Sequence, residues 1–144
     1  MNRDEIKTYI PHREPMLLVD EINIKDDKVY AKYYVRGDEF FLQGHFPGNP
    51  VVPGVILCEI MAQSCSLLIG EELKGKTPFY AGIDNVRFKR QVKPGETVDI
   101  TASIENRKGL IFYVKAKATV NGELAVRGNL SFALVPNDQL EINK

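Results

Sequence analysis

The sequence predicts an α+β domain: a curved antiparallel sheet of about six strands wrapped around one long, buried central helix. Three observations carry this reading. Residues 55–69 are apolar on nearly every side and free of breakers, a pattern that suits a helix only when it is buried. The other candidate elements alternate apolar and polar residues with the period of a strand. Short turn signals, among them Pro94-Gly95, Lys108-Gly109 and Asn121-Gly122, join the later strands and allow only antiparallel neighbours. A sheet with one apolar face needs an element to bury it, and the helix supplies one.

The elements follow in order. Residues 1–10 carry Ile6, Tyr9 and Ile10 among charges, enough for a short amphipathic helical turn that Pro11-His12-Arg13-Glu14-Pro15 ends. Residues 16–25 read as a strand, Asp26-Asp27 as a turn, and 28–36 as a second strand with Val29, Ala31, Tyr33 and Val35 on one face. Residues 38–46 are short, aromatic and irregular. The stretch from Gly44 to Gly54 is too rich in Gly and Pro for a helix or strand interior, so it is a stiff loop feeding the helix. Pro53 suits the first helical position and Gly70 the stop, giving a helix of about 17 residues, roughly 25 Å long. The charged piece 71–76 reads as a solvated linker. Strands are expected over 79–92, 97–106, 110–120 and 123–135, with Asn121-Gly122 as the strongest hairpin signal.

At 144 residues the chain is expected to form one domain, 1–144. Its 19 basic and 19 acidic residues cancel, which argues against nucleic acid or an anionic membrane as the main partner and permits self-association. The first ten residues carry Arg3, Asp4, Glu5 and Lys7 and do not read as a signal peptide, and Glu59 and Gln63 interrupt the longest apolar stretch. A cytoplasmic protein without a membrane span is expected. Cys58 and Cys65 lie about 10 Å apart on one helix, beyond disulfide reach, and read as small core residues. With two His and two Cys no zinc-ligand spacing appears, and no metal is expected.

Within the helix, Glu59, Gln63 and Ser66 share one narrow face. A carboxylate in an apolar helix is costly unless it is paired or protonated, so Glu59 marks either a site or a solvated edge. His45, in the stiff loop, either hydrogen-bonds that loop or works with Glu59 as an acid–base pair whose members differ in pKa. A neutral imidazole takes a proton near pH 7, and a buried carboxyl whose pKa burial has raised can give one away. The two together suit an elimination or its reverse. The first helical N–H groups, at Gly54 and Val55, lack intrahelical acceptors and could hold a carbonyl oxygen on which enolate-like charge grows. Gly54, without a side chain, lets a substrate approach. No P-loop, dinucleotide fingerprint or nucleophile elbow is present. His12, between two prolines, reads as structural. Arg87, Lys89, Arg90 and Lys93 form either a solvated strand face or a binding patch.

The run Leu-Gln-Gly-His-Phe-Pro-Gly-Asn-Pro-Val-Val-Pro-Gly-Val at 42–55, Glu59 followed by Met61-Ala62-Gln63, Pro11-His12-Arg13 with Leu17-Leu18-Val19-Asp20, and Gly82-Ile83-Asp84 with Arg87-Phe88 resemble the FabZ-type (3R)-hydroxyacyl-acyl-carrier-protein dehydratases. The resemblance spans nearly the whole chain, in order. It implies a hotdog fold assembled as a homodimer, often a trimer of dimers, with His45 of one subunit and Glu59 of the other in each active site. It also implies removal of water from a 3-hydroxyacyl thioester to give the trans-2-enoyl product. No cofactor is implied beyond the phosphopantetheine arm of the acyl-carrier protein, which is the partner.

Carried over by residue, the resemblance implies that His45 abstracts the C2 proton, Glu59 protonates the departing C3 hydroxyl, and the Gly54 N–H holds the thioester carbonyl. Gln63 orients Glu59 by their shared helix face. Phe79 and Tyr80 lie near the tunnel mouth, and Arg87, Lys89, Arg90 and Lys93 face the acidic carrier protein. Relatives that also isomerise to the cis-3 product often carry Asp where Glu59 stands. Glu14 occupies a position where an aromatic is common, and Cys58 one where an aliphatic is common. Two other readings remain: a different hotdog enzyme such as a thioesterase or a CoA-dependent hydratase, and a non-catalytic acyl-binding subunit.

Overall fold

A computed structural model describes residues 1–140; the expected domain's last residues, 141–144, lie outside the described ones. Six strands are formed: β1 Glu21–Lys25, β2 Lys28–Tyr34, β3 Lys76–Phe88, β4 Thr97–Lys108, β5 Ile111–Val120 and β6 Glu123–Pro136. They make one sheet in the order β1-β2-β4-β5-β6-β3, with every neighbouring pair antiparallel. Helix α1 spans Arg3–Ile6 and helix α2 Gly54–Cys65. The α2 helix lies against β2, β4, β5 and β6, so the sheet's apolar face is buried on the helix, as the patterning predicts.

The period-two pattern sets the register. In β2, Val29, Ala31 and Tyr33 point into the core with Val35 just beyond, and in β5 Phe112, Val114, Ala116, Ala118 and Val120 do the same. Asn121 and Gly122 both adopt positive φ, 50° and 79°, so the β5–β6 hairpin closes through the tight two-residue turn that its sequence specifies. Register shifts interrupt the β3–β6, β4–β5 and β5–β6 ladders, and such irregularities bend the strands that carry them.

The structure departs from the sequence expectations in five places. The α-helical part of the central segment stops at Cys65 and continues as a 3₁₀ turn over Ser66–Leu68, so the long helix is shorter than expected. Hydroxyls of Ser64 and Ser66 donate to the carbonyls of Ile60 and Gln63 at 2.7 and 2.6 Å, competing with the helical ladder near its end. Pro53 is the residue flanking the helix rather than its first member; its ψ of 142° is extended, and its carbonyl accepts from Ile56 and Leu57.

The first strand starts at Glu21 rather than at residue 16, because Leu17, Leu18 and Val19 are buried in succession, which a strand with one solvated face does not allow. The 71–76 segment is not a free linker. Gly70–Leu73 is a 3₁₀ turn with Leu73 only 1% exposed, Glu72 pairs with Arg107, and Lys76 already belongs to β3. Finally, β3 ends at Phe88, short of residue 92, where Val92 turns into the core and its carbonyl accepts from Val52 N–H at 2.9 Å.

Strand β3 differs from the others. It is an edge strand, paired only with β6, and it carries no alternating buried face. Phe79, Tyr80, Ile83 and Phe88 are exposed along it, and Phe46 and Val55, the latter 75% exposed, are exposed near the start of α2.

Candidate active site

The helix face that carries Glu59, Gln63 and Ser66 opens onto a cavity of about 330 Å³. Pro11 and His12 from the N-terminal loop close one part of it, and Phe79 and Tyr80 from β3 another. The lining is largely apolar, with Glu59 the one carboxylate among these residues. Phe79 and Tyr80 line the same cavity as Glu59.

Side chains from separate segments hold Glu59. Gln63, one turn later, donates through Nε2 to Glu59 Oε2 at 2.9 Å. Gln63 is itself fixed, since its Oε1 accepts from Leu18 N–H and its Nε2 also donates to Met16 O, both at 2.7 Å. His12 Nε2 stands 3.5 Å from the same Oε2. Burial pushes the Glu59 carboxyl up, but the donors His12 and Gln63, with a further contribution from Tyr80, outweigh it and leave the group below its ordinary range. This corrects the expectation of a carboxyl raised by burial: in the single chain the donors stabilise the carboxylate. The Tyr80 hydroxyl donates to Cys58 O at 3.2 Å, and burial, reinforced by the nearby Glu59 carboxylate, pushes its own pKa well up.

His45 is held by its own loop. Its Nδ1 lies 2.9 Å from Val51 O, its ring stacks on Phe46 at 4.2 Å, and its backbone carbonyl accepts from Val51 N–H at 2.8 Å. A carbonyl can only accept, so Nδ1 carries the hydrogen, and in the neutral ring Nε2 is then the nitrogen with the free lone pair, as a general base requires. The cavity around Glu59 does not include His45 of the same chain.

At the start of α2, Ile56 and Leu57 make the first donations, both to Pro53 O, and the Gly54 and Val55 N–H groups are not claimed by that ladder. A Cβ at Gly54 would stand 2.9 Å from the Phe88 ring, so glycine at this position makes room for that ring in the single chain. Of the basic residues, Arg90 pairs with Glu96 at 2.9 Å and Glu123 at 3.3 Å, while Arg87, Lys89 and Lys93 are exposed. Cys58 and Cys65 are buried free thiols; burial raises both, Cys65 to about 12, so neither is a ready nucleophile. Among the described residues no group of three or more His, Cys, Asp or Glu could hold a metal, and no helix is long and apolar enough to cross a membrane.

His12, read from the sequence as structural, stands beside Glu59, a pairing that no local pattern could have signalled because the two are far apart in the chain.

Residues 10–129 match the FabA-like domain family. The 3-hydroxyacyl-[acyl-carrier-protein] dehydratase FabZ of Clostridium perfringens is 50% identical over 137 residues, covering 93% of this chain and 99% of its own. That of Lactococcus lactis subsp. cremoris is 48% identical, covering 93% and 95%. A chain of the dehydratase heterocomplex ApeI:P from Xenorhabdus doucetiae superposes with a TM-score of 0.78 at 25% identity, over 96% of this chain and 97% of that one. The fluoroacetyl-CoA-specific thioesterase FlK, at 16% identity and a TM-score of 0.68 over 79% of this chain and 96% of its own, shares the fold alone. The chain belongs to the FabA-like family and, within it, to the FabZ-type 3-hydroxyacyl-[acyl-carrier-protein] dehydratases.

Proposed function

We propose that this chain dehydrates (3R)-3-hydroxyacyl thioesters on acyl-carrier protein to the trans-2-enoyl thioesters, in the cytoplasm, during fatty-acid biosynthesis. The observation that carries the reading is a carboxyl, Glu59, fixed by Gln63 in an apolar cavity of acyl-chain character. The near-full-length likeness to FabZ dehydratases supports it.

In this mechanism His45 Nε2 removes a proton from C2, and the negative charge that develops on the thioester oxygen is held by the Gly54 N–H, with Val55 beside it. The C2 electron pair then forms the C2=C3 bond as the C3–O bond breaks, and Glu59 gives its proton to the departing hydroxyl, which leaves as water. The His45/Glu59 pair thus carries one proton in its working state, and its rate profile is bell-shaped with an acidic limb set by Glu59. No cofactor is needed beyond the phosphopantetheine arm. Gln63 orients the acid, and Phe79 and Tyr80 border the chain's path. Arg87, Lys89 and Lys93 are the exposed cations for the acidic carrier, whereas Arg90 is already neutralised within the chain.

The assembly is a homodimer joined along β3, in hexamers a trimer of such dimers. Support comes from the open β3 edge, its exposed Phe79, Ile83 and Phe88, and the separation of His45 from the Glu59 cavity within one chain. Each site then takes His45 from one copy and Glu59 from the other.

The test is mass-spectrometric product analysis with a 3-hydroxyacyl thioester on acyl-carrier protein, with Glu59→Gln alongside. A trans-2-enoyl product that the variant fails to make is the expected result, and a cis-3 product would add isomerisation. Free acid with released thiol would replace the reading with a thioesterase, and unchanged substrate with an acyl-binding subunit.

A further inference from the structure

We propose that His12 is a positioning residue for Glu59: it fixes Oε2 of the carboxyl group and leaves Oε1 as the oxygen that exchanges a proton with substrate. The inference rests on the proposed role of Glu59 as proton donor.

The geometry separates His12 from an ordinary structural histidine. A ring buried for packing normally satisfies both nitrogens. Here Nδ1 is buried with no hydrogen-bond partner, and the polar partner of the ring among the described residues is Glu59. An N–H at Nδ1 would have no acceptor, so the tautomer with its hydrogen on Nε2 is favoured, and Nε2 lies 3.5 Å from Glu59 Oε2. The distance is long for a hydrogen bond. Contacts of this kind at catalytic carboxyls shorten once a substrate fills the site.

Two donors therefore converge on Oε2: Gln63 from the next turn of the helix, and His12 from a loop far off in sequence. The described contacts of His12 and Gln63 engage Oε2, and no described hydrogen bond engages Oε1 of this cavity-lining carboxyl. Dehydration needs this asymmetry, because a carboxyl held at one oxygen presents the other in a fixed direction. Other titratable groups face Glu59 as well. Tyr80 approaches from β3, its hydroxyl donating to Cys58 O while also helping to hold the Glu59 carboxyl down, and the Cys58 thiol sits beside Glu59 on the helix. His12 is the one among them that is ordinarily a strong donor with no other polar engagement.

The experiment compares His12→Gln, which keeps a donor near the Nε2 position, with His12→Phe, which keeps the ring volume without one. kcat, KM and the pH–rate profile are measured on assembled protein, with Glu59→Gln as reference. For His12→Phe, kcat should fall about 10- to 100-fold with KM little changed, and the acidic limb should move to higher pH, since losing a donor to the carboxylate raises the Glu59 pKa. His12→Gln should recover most of kcat and the original limb. Equal loss in both variants without movement of the limb, or wild-type kinetics in both, would overturn the role of His12 while leaving Glu59 as the acid. Full activity in Glu59→Gln would overturn the Glu59 assignment and this inference together. Should His12→Phe fail to fold, His12→Ala makes the same comparison.

Discussion

The two halves of the candidate site are built in opposite ways. His45 is held by what lies within six residues of it, the Val51 carbonyl and the Phe46 ring, in a loop whose prolines restrict the backbone and whose Gly44 and Gly48 take the positive φ that its turns need. Glu59 is held by Gln63, and through it by the backbone of Met16 and Leu18, with His12 at the edge. One half is a local device, and the other exists only once the N-terminal segment has docked on the helix. A chain can therefore lose the second half without losing the first.

The largest expected effects come from the reacting groups. His45→Ala and Glu59→Gln should each lower kcat by at least about 100-fold while the fold is retained by circular dichroism. A near-normal rate in either folded, assembled variant would remove that half from the chemistry. Next, Ile83→Asp on the exposed β3 edge should abolish self-association in analytical ultracentrifugation and activity with it, whereas Ile24→Asp at the β1 edge should preserve both.

Gln63→Leu tests how the Glu59 half is assembled. It removes the donor to Glu59 and strands Leu18 N–H and Met16 O, which should cost on the order of 2–4 kcal/mol in denaturant unfolding as well as activity. Activity lost at unchanged stability would mean that water replaces the missing partners.

Asp20→Asn should be milder, about 1–2 kcal/mol. Asp20 anchors the same N-terminal segment, accepting from Arg3 at 2.7 Å, Arg36 at 2.6 Å and Tyr34 N–H at 2.7 Å. Burial raises its carboxyl, but these donors outweigh burial and hold it below its ordinary value. Its stabilisation is therefore present above the unfolded pKa of about 4 and is lost as pH falls through the lower folded value. Melting temperatures measured on acidification should fall less steeply in the variant than in the parent.

This division also explains what could be read from the sequence. Period-two alternation and turn chemistry located β2, β4, β5 and β6, because each depends on neighbours in the chain. The His45 loop and the shared face of Glu59 and Gln63 were legible for the same reason. His12 was not, since its partner is a tertiary contact. The start of the first strand was misread because Leu17, Leu18 and Val19 are buried in succession, and the end of β3 because the chain leaves the sheet at Phe88 while Val92 alone turns into the core. Burial alone gave the wrong direction for the Glu59 pKa; of the donors that lower it, Gln63 shares its helix face, whereas His12 and Tyr80 come from segments that no spacing connects.

Separation of His45 from the Glu59 cavity in a single chain has a genetic consequence. Under the two-copy reading, a His45→Ala chain and a Glu59→Gln chain are each inert alone, yet a mixed pair assembles one site from the two intact halves. Co-expression of two null alleles should then restore growth that neither supports, and remixing the purified variants should recover about a quarter of the parental rate, as random pairing of two kinds of subunit gives.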